Sequence, residues 1–545
     1  MEFSLKHVAI AVAATAAFST ASIAQAGVEG ERKFNDVQVL GYLGKTSKSA
    51  MARSVYDRMT TKTTAPYSMN NGFRVLMFWH EVLLDSIAID HTPDPDSGEV
   101  PFIQGGPGRT SRALGMTQIA VYDAVNSYFD SYTSYNDIGE GKGSLDVAIA
   151  AAAHGVLSVL YPNQKDRLDS LLESTIERVN ARRWQILKGL WTGKKAAKAI
   201  LAARSDDNSF DPEPSFGEGG VVADGTTTFY NTGVNGGSTF APQWTPDPNT
   251  PEFSGDFNLS LGAYWGGVTP FFLESGDQFR IPAPPAIGSQ EYIDAYKEVA
   301  GLGGSPENEN TFSFSTPETR FVGNFWGYDA TPLLGTPPRL YNQIARQVIK
   351  QNFDELEDQS INEAARLLAV LNASIADAGI AAWDSKWYYN YWRPVTGIRT
   401  EDGVSETIVD PTWDPVGVSI INVELPEDQA FIRPSPPFPA YPSGHATFGA
   451  ATFEVLRRTF GNDTPFSFVS DEYNGEGVDP FDPSVTRPLV PVFFATLDEA
   501  QESNGRSRIY NGVHWSYDNI QGQALGENLV DYLFSDNISA FKPVR

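Results

Sequence analysis

The sequence feature that most restricts the fold is a helix-forming stretch at residues 360–392, which ends before Pro394. Proline cannot continue a helix, because it lacks a backbone N–H and its ring clashes with the preceding turn. Apolar residues recur at helical spacing in many other segments, whereas the alternation typical of half-buried strands is scarce. These segments lie at 72–90, 110–128, 145–160, 164–182, 184–203, 290–300, 337–357, from 443 onward, before 510 and at 514–534. The sequence therefore predicts a mainly α fold.

The helical segments divide into two groups along the chain. Residues 27–318 form an N-terminal helical half, in which residues 204–318 are rich in Gly, Pro, Asp, Asn and Thr. Such a composition predicts long loops that cover the helices. Residues 319–545 form a C-terminal helical bundle. We therefore expect two helical-bundle halves with long irregular loops.

Residues 1–26 are predicted to be a signal peptide rather than part of the fold. A short apolar run is followed by Ala24-Gln25-Ala26, a small-x-small cleavage pattern. The run is short and poor in leucine for a retained membrane anchor, and no later stretch is expected to span a bilayer. We expect an exported protein, periplasmic or secreted, that begins near Gly27.

Charge and cysteine content exclude several classes of partner. The chain has 40 basic and 67 acidic residues, for a formal net charge of −27. This charge disfavours a nucleic-acid or anionic-membrane partner. The sequence contains no Cys, so it forms neither disulfides nor thiolate metal sites. A homo-oligomer is possible, since charge and cysteine content do not determine the oligomeric state.

Ser443, Gly444 and His445 place a hydroxyl, an unhindered backbone amide and an imidazole in consecutive positions. They follow a proline, and an amphipathic helical pattern begins immediately after them, with Gly461 at its expected end. The free amides and the dipole of a helix N-terminus favour an anion. On its own, such a tripeptide is most often only a turn.

Lys386 and Arg393 are two helical turns apart to within about 20°. We therefore expect both cations on one face of the same helix. Their aromatic neighbours indicate that this helix is buried: Trp383, Trp387, Tyr388, Tyr389, Tyr391 and Trp392. Two cations in a buried helix need an anion.

A third segment contains Arg508 and His514 on either side of the turn-forming pair Asn511-Gly512. Arg508 is expected on the last turn of one helix and His514 at the start of the next. Asp518 follows His514 by one turn, so it could accept a hydrogen bond from Nδ1–H and leave Nε2 as a ligand or nucleophile.

Together the three segments supply three fixed cations, a hydroxyl, a helix-terminal amide and two imidazoles. Guanidinium groups bind oxyanions in a bidentate fork, lysine adds a point charge, and a backbone N–H adds a dipole. This inventory suits a tetrahedral oxyanion such as phosphate or vanadate, bound in the C-terminal bundle.

Three motifs in order resemble the signature of the vanadium-dependent haloperoxidases, which they share with type-2 phosphatidic acid phosphatases and bacterial acid phosphatases. The motifs are Lys-x6-Arg-Pro (386–394), Pro-Ser-Gly-His (442–445) and Ser-Arg-x5-His-x3-Asp (507–518). Segments 325–329, 335–342 and 377–380 resemble the haloperoxidases outside that signature, and the chloroperoxidases most. The close likeness covers about residues 325–534.

The resemblance implies a vanadate cofactor, vanadium(V) without haem, joined to the protein by a bond from His514. The groups expected to hold its other oxygens are Lys386, Arg393, Arg508, Ser443 and the Gly444 N–H. His445 would be the acid–base group that takes a proton from hydrogen peroxide. Asp329 resembles the carboxylate that pairs with a site arginine, which we assign to Arg508.

The implied reaction is the oxidation of halide by hydrogen peroxide to hypohalous acid, by way of peroxovanadate bound to His514. Vanadium would act as a Lewis acid, and Lys386 would polarise the bound peroxide. The hypohalous acid would then halogenate small organic acceptors. Trp383 and Phe438 match positions where chloroperoxidases have Trp and Phe, and an apolar wall should help chloride react. This favours chloride, with bromide as the alternative.

Two other functions use the same residues. In an exported acid phosphatase, His514 would form a phosphohistidine and His445 would protonate the leaving group. A third possible function is that of a non-catalytic phosphate-binding protein. The complete set of signature residues gives no support to the loss of catalysis that this function requires.

Overall fold

The computed structural model describes residues 45–66, 69, 71–211, 213–214, 220–221, 227–228, 242–247, 260–355, 357–424, 434–480 and 482–544. The predicted signal peptide, residues 1–26, lies outside the described residues. The first helices of the chain are α1 Ala50–Thr60, α2 Gly72–Asp90, α3 Gly106–Phe129, α4 Leu145–Leu160, α5 Lys165–Arg178 and α6 Arg183–Ala203. The remaining helices are α7 Gln290–Leu302, α8 Pro317–Phe325, α9 Pro337–Asn352, α10 Asp358–Tyr389, α11 Pro394–Arg399, α12 Gly444–Phe460, α13 Leu497–Tyr510 and α14 Ser516–Phe534.

Strands are short and form three antiparallel pairs in the described part of the chain. They are β1 Lys45–Thr46, β2 Gly220–Val221, β3 Thr227–Thr228, β4 Val423–Glu424, β5 Phe466–Asn474 and β6 Leu489–Phe494. The pairs are β1 with β4, β2 with β3, and β5 with β6. The prediction of a mainly α fold is therefore confirmed, although the β5–β6 hairpin was not foreseen.

Helices α3 and α10 pack against each other and connect the two groups of helices. Within the groups, α4 packs on α6 and α12 packs on α14. Glycine makes the second of these contacts close: a Cβ added to Gly526 would lie only 2.5 Å from the Thr447 carbonyl oxygen. One hydrophobic core extends through both groups. The division at residue 318 remains a prediction.

Helix α10 lies at the centre of this core. Its segment Ser360–Tyr389 is long and apolar enough to cross a membrane by length and composition, and 94% of the most apolar window is buried inside the protein. The expectation that no stretch after the predicted signal peptide is long and apolar enough to span a bilayer is therefore wrong by this criterion. The apolar surface of the helix is explained by its packing against α3 and α12.

The expectation that Lys386 and Arg393 share one helix is also wrong. Helix α10 ends at Tyr389, and Asn390 adopts a left-handed conformation with φ 48°, which asparagine tolerates better than most residues. Arg393 precedes a proline, which favours extended backbone, and it caps the N-terminus of α11 with φ −80° and ψ 157°. The chain thus turns between the two cations.

Candidate active site

Ser443 caps the N-terminus of α12, and its Oγ accepts a hydrogen bond of 3.3 Å from the Ala446 N–H. Gly444 is the first residue of the helix. A Cβ at Gly444 would lie 3.3 Å from the ring of Trp383, so any larger residue would crowd that ring. The structure therefore places the hydroxyl and the helix-terminal amide as the sequence predicts.

The His445 side chain is buried and its ring orientation fixes which nitrogen is protonated. Nε2 lies 2.8 Å from the Gly327 carbonyl oxygen, which can only accept, so Nε2–H donates and Nδ1 has the lone pair. Burial, with a smaller contribution from Arg508, lowers the pKa of His445 well below its ordinary value. The ring is therefore a neutral base at ordinary pH.

His514 is held in the complementary tautomer. Its Nδ1–H donates to Asp518 Oδ2 at 2.8 Å, and the same oxygen accepts from the Trp515 N–H at 3.0 Å. Burial and the neighbouring Arg393 lower the pKa of His514 well below its ordinary value. Its Nε2 lone pair accepts from Arg393 Nη1 at 3.0 Å. The predicted Asp518–His514 contact is confirmed, and any group that bonds to Nε2 must displace the guanidinium.

Arg393 reaches the site from the residue that precedes α11, although it is not on the helix of Lys386. Its Nε donates to the Phe438 carbonyl at 3.0 Å, and Nη1 also donates to the Val513 carbonyl at 2.8 Å. The guanidinium carbon lies 5.0 Å from the centroid of the Phe438 ring. Main-chain acceptors thus fix the guanidinium beside His514.

Lys386 is fully buried, and its ammonium group donates to three carbonyl oxygens. Two of these bonds are 2.9 Å, to Pro439 and Ala440, and the third is to Pro442. Burial lowers the pKa of Lys386 well below its ordinary value, and Arg393 lowers it further. Three carbonyl acceptors nevertheless match the three N–H donors of an ammonium. In this arrangement Lys386 adds positive charge to the site, while its three ammonium hydrogens are donated to main-chain carbonyls and not to the cavity.

Arg508 and Asp329 form a buried bidentate ion pair. Arg508 Nη2 donates to Asp329 Oδ1 at 2.8 Å, and Nη1 donates to Oδ2 at 3.2 Å. This is the pairing that the sequence resemblance implied. Among the described residues, Arg508 Nε is buried without a hydrogen-bond partner. That N–H is a donor for which an anion in the adjoining cavity would be the acceptor.

These groups surround one cavity. His445, His514, Arg508, Gly444 and Asp329 line it, and an aromatic wall is formed by Trp383 and Phe438, whose ring centroids are 4.9 Å apart. Of the ten residues predicted for the site, these seven therefore line the cavity. Lys386 and Arg393 lie behind Phe438, within 5.2 Å and 5.0 Å of its ring centroid. Ser443 directly precedes Gly444.

Four helices begin at or next to this cavity. It is lined by Gly106 at the start of α3, Pro337 at the start of α9, Gly444 at the start of α12, and His514, two residues before α14. Each helix N-terminus has a partial positive charge of about half a unit. The helix ends therefore add to the field of the three cations, and the site favours an anion.

Sequence reasoning missed the groups that come from outside the three motifs. Phe102, Gly106 and Leu261 of the first part of the chain line the cavity, as does Thr336, whose buried hydroxyl has no hydrogen-bond partner among the described residues. The sequence Gly-Gly-Pro-Gly at 105–108 was the signal that could have indicated a helix start in close contact with another segment. A Cβ at Gly108 would lie 2.6 Å from the Trp265 ring, so this glycine allows α3 to begin against the covering loop.

Comparison with known proteins identifies the class. The chain is 30% identical to vanadium chloroperoxidase of Curvularia inaequalis, in an alignment that covers 84% of this chain and 80% of that protein. Residues 366–542 match the family model of the VCPO second helical-bundle domain. The chain therefore belongs to the vanadium haloperoxidase family.

Solved structures share the fold at lower identity. A bacterial vanadium-dependent iodoperoxidase superimposes with a TM-score of 0.60 at 21% identity, covering 84% of this chain and 95% of that one. The holo-type bacterial vanadium-dependent chloroperoxidase gives a TM-score of 0.55 at 18% identity, covering 82% and 95% of the two chains. The helical architecture is therefore that of both a chloroperoxidase and an iodoperoxidase.

The residues present fit an oxyanion cofactor. The unpartnered Arg508 Nε, the Gly444 end of α12 and the fixed tautomer of His514 face or adjoin the same cavity. A vanadate bonded to Nε2 of His514 would meet positive charge from Arg393 and Arg508.

We predict that Asp329→Asn lowers the melting temperature and that orthovanadate partly restores it. Breaking a buried pair leaves Arg508 uncompensated, at a cost of about 3–5 kcal/mol. An anion that binds only the folded state returns some of that stability. Thermal melting of vanadium-free protein, with and without orthovanadate, measures both effects.

The matched control is Asp207→Asn, which removes the buried ion-pair partner of Arg112 and Arg204, none of which lines the cavity. Orthovanadate should raise its melting temperature no more than that of the wild type. An equal gain for the two variants would contradict a role of Asp329 in balancing the charge of the cavity.

Proposed function

We propose that this protein oxidises chloride and bromide with hydrogen peroxide, using vanadate bound to His514. The observation that supports this most is the pair of imidazoles in one cavity that Arg508 lines and that Lys386 and Arg393 adjoin. His514 has its Nδ1–H committed to Asp518, and His445 has its Nε2–H committed to Gly327. One ring thus offers a fixed lone pair as a ligand, and the other offers a separate base.

In the overall reaction the peroxide O–O bond breaks, one oxygen joins the halide, and the other leaves as water after one proton is taken up from solution. The halide loses two electrons, and hypohalous acid is the product. When bound, vanadate supplies a Lewis acid that activates the peroxide. The protein's own residues bind the cofactor and transfer the proton.

Binding of the cofactor would be shared among groups with distinct chemistry. Arg508 Nε and the Gly444 amide are donors for its oxygens, and Ser443 adds a hydroxyl. Arg393 would exchange its bond to His514 Nε2 for bonds to the oxygens. Lys386, one layer behind Phe438, would add charge, and it can donate directly only after releasing one of its carbonyl partners.

His445 would move the proton at Nδ1. Because Nε2–H is held by the Gly327 carbonyl, Nδ1 is the nitrogen that accepts from hydrogen peroxide. The lowered pKa of His445, caused mainly by burial, favours the deprotonated form of this nitrogen. Asp329 would act through Arg508, whose guanidinium plane it fixes with two hydrogen bonds.

We expect chlorination and bromination to require both added orthovanadate and His514. His514→Ala removes the only covalent attachment that we assign to the cofactor, so activity should fall by at least about 100-fold. The measurement is halogenation of monochlorodimedone with peroxide and halide, in wild type and variant, with and without orthovanadate. His154→Ala, which removes a histidine on α4 that pairs with Asp169, is the matched control. Activity that is independent of vanadate would contradict the cofactor assignment.

The halide preference depends on the wall formed by Trp383 and Phe438. Phe438→His should lower chlorination about tenfold or more relative to bromination, because a polar ring keeps water beside the halide. Phe438→Leu, which keeps the wall apolar, should change the ratio much less. The ratio of chlorination to bromination rates at acidic pH is the readout, and equal effects of the two substitutions would contradict the preference for chloride.

A weak phosphatase activity is expected in vanadium-free protein, since five-coordinate vanadate resembles a phosphoryl transition state. The same His514 would be the nucleophile, and His445 would protonate the leaving group once the negative charge of the bound phosphate raises the pKa of its ring. Hydrolysis of p-nitrophenyl phosphate should exceed that of His514→Ala and should be inhibited by orthovanadate. Identical rates in the two proteins would rule out this second activity.

A further inference from the structure

Helix α6, Arg183–Ala203, differs in charge from the rest of this acidic chain. From Val179 to Ser205 the sequence contains no Asp or Glu, whereas the whole protein has 67 of them. The basic residues of the segment are Arg182, Arg183, Lys188, Lys194, Lys195, Lys198 and Arg204. Helix α6 is therefore strongly basic, although the whole protein has a net charge of −27.

The outward face of α6 is also apolar. Trp184, Leu187 and Trp191 are 53%, 47% and 57% exposed. Their spacing of three and four residues places them on one stripe of the helix. We refer to these three side chains as the tryptophan stripe. Large aromatic residues are seldom left in water without a partner, and several on one stripe indicate a contact surface.

The opposite face of α6 holds the helix firmly on the protein. Gly189 and Gly193 lie so close to α4 that an added Cβ would come within 2.5 Å of the Ser144 carbonyl oxygen and 2.3 Å of the Ala148 carbonyl oxygen. Leu190, Ala197 and Ile200 are buried in the core. The tryptophan stripe therefore points outward from a rigid support and cannot turn inward.

Cations flank the stripe. Arg182, Arg183, Lys188, Lys195 and Lys198 are exposed, and within the described part of the chain none of the five forms an ion pair with a carboxylate. The Lys188 ammonium lies 5.3 Å from the Trp184 ring centroid, and that of Lys195 lies 5.3 Å from the Trp191 ring centroid. Each tryptophan is thus accompanied by a positive charge.

We propose that this face of α6 binds the surface of an anionic phospholipid bilayer. Indole rings prefer the headgroup region, where an apolar body and a polar N–H are both accommodated. Leu187 between the two indoles adds apolar area, and the flanking lysines and arginines match the charge of the headgroups. Asp137 and Glu140 lie on either side of Ile138, whose carbonyl accepts from Lys195. The five exposed cations outnumber these two carboxylates, and charges farther than about 8 Å are screened at physiological salt.

A second copy of the chain fits this face less well. In a two-fold dimer the same surface meets itself, which would place the two sets of cations against each other. Like charges opposed in this way cost free energy. A bilayer offers both an apolar layer and negative charge over an extended plane.

The test is sedimentation of the vanadate-loaded, full-length mature protein with large unilamellar vesicles. One set of vesicles is an equal mixture of phosphatidylglycerol and phosphatidylcholine, and the other is phosphatidylcholine alone. One variant combines Trp184→Ala, Leu187→Ala and Trp191→Ala, and a second combines Arg183→Gln, Lys188→Gln and Lys198→Gln. Phe312→Ala with Phe314→Ala is the matched control, since both rings are 62% exposed elsewhere in the chain.

Wild type and control should bind the anionic vesicles alike, and each triple variant should bind at least tenfold more weakly. Binding should fall as salt is raised from 0.1 M to 1 M, because the screening length shortens from about 10 Å to about 3 Å. Wild type that fails to bind at 0.1 M salt, or triple variants that bind as wild type does, would overturn the proposal. Stripe-dependent self-association without vesicle binding would assign the face to a second copy and overturn it equally.

Halogenation and melting temperature provide the control for folding. The substituted side chains are exposed and do not line the cavity, so all variants should match wild type in both measurements. Because vesicle binding requires no catalysis, this result is independent of the proposed haloperoxidase activity.

Discussion

The burial of Lys386, Arg393 and Arg508 in one region is the constraint on which the rest of the site depends. All three cations are almost inaccessible to water, and the nearby carboxylates are those of Asp329 and Asp518. Buried charge is costly unless it is paired and hydrogen-bonded. The main chain meets part of this cost, with three carbonyls for Lys386 and two for Arg393. The helix N-termini add further positive potential, and an oxyanion is the ligand that would neutralise it.

The segment that supplies the Gly327 carbonyl and Asp329 has an unusual backbone. Tyr328, Ala330 and Leu333 have φ values of 49°, 63° and 69°, a region that residues with side chains rarely adopt and that costs about 1–3 kcal/mol each. The strain is sustained by contacts on both sides: Tyr328 N–H donates to Glu472, and Asp329 pairs with Arg508. This conformation brings an acceptor to His445 and a carboxylate to Arg508 from a single short loop.

The fold class and the groups around the cavity could be predicted because they depend on short-range patterns. Helices Gly72–Asp90 and Leu145–Leu160 begin and end where the periodicity indicates, and Asp518 meets His514 because i and i+4 share a helix face. The prediction for Arg393 failed because Asn390 adopts a left-handed conformation and ends α10, although the helical sequence pattern continues to residue 392. Phe102 and Leu261 could not be found, since they reach the cavity through tertiary packing. The β5–β6 hairpin could have been found, since β5 alternates in burial over most of its nine residues; Pro491 within β6 disfavours a strand in the sequence pattern.

We propose that His514 Nε2, which is hydrogen-bonded to Arg393 Nη1 in this structure, is the atom that bonds to the cofactor. A crystal structure of the protein grown with orthovanadate tests this most directly. We expect vanadium bonded to Nε2, with Asp518 still holding Nδ1–H and the Arg393 guanidinium moved from the nitrogen to the oxygens of the anion. Vanadium bound elsewhere, or an intact Arg393–His514 hydrogen bond in protein saturated with orthovanadate, would contradict the assignment of His514 as the ligand.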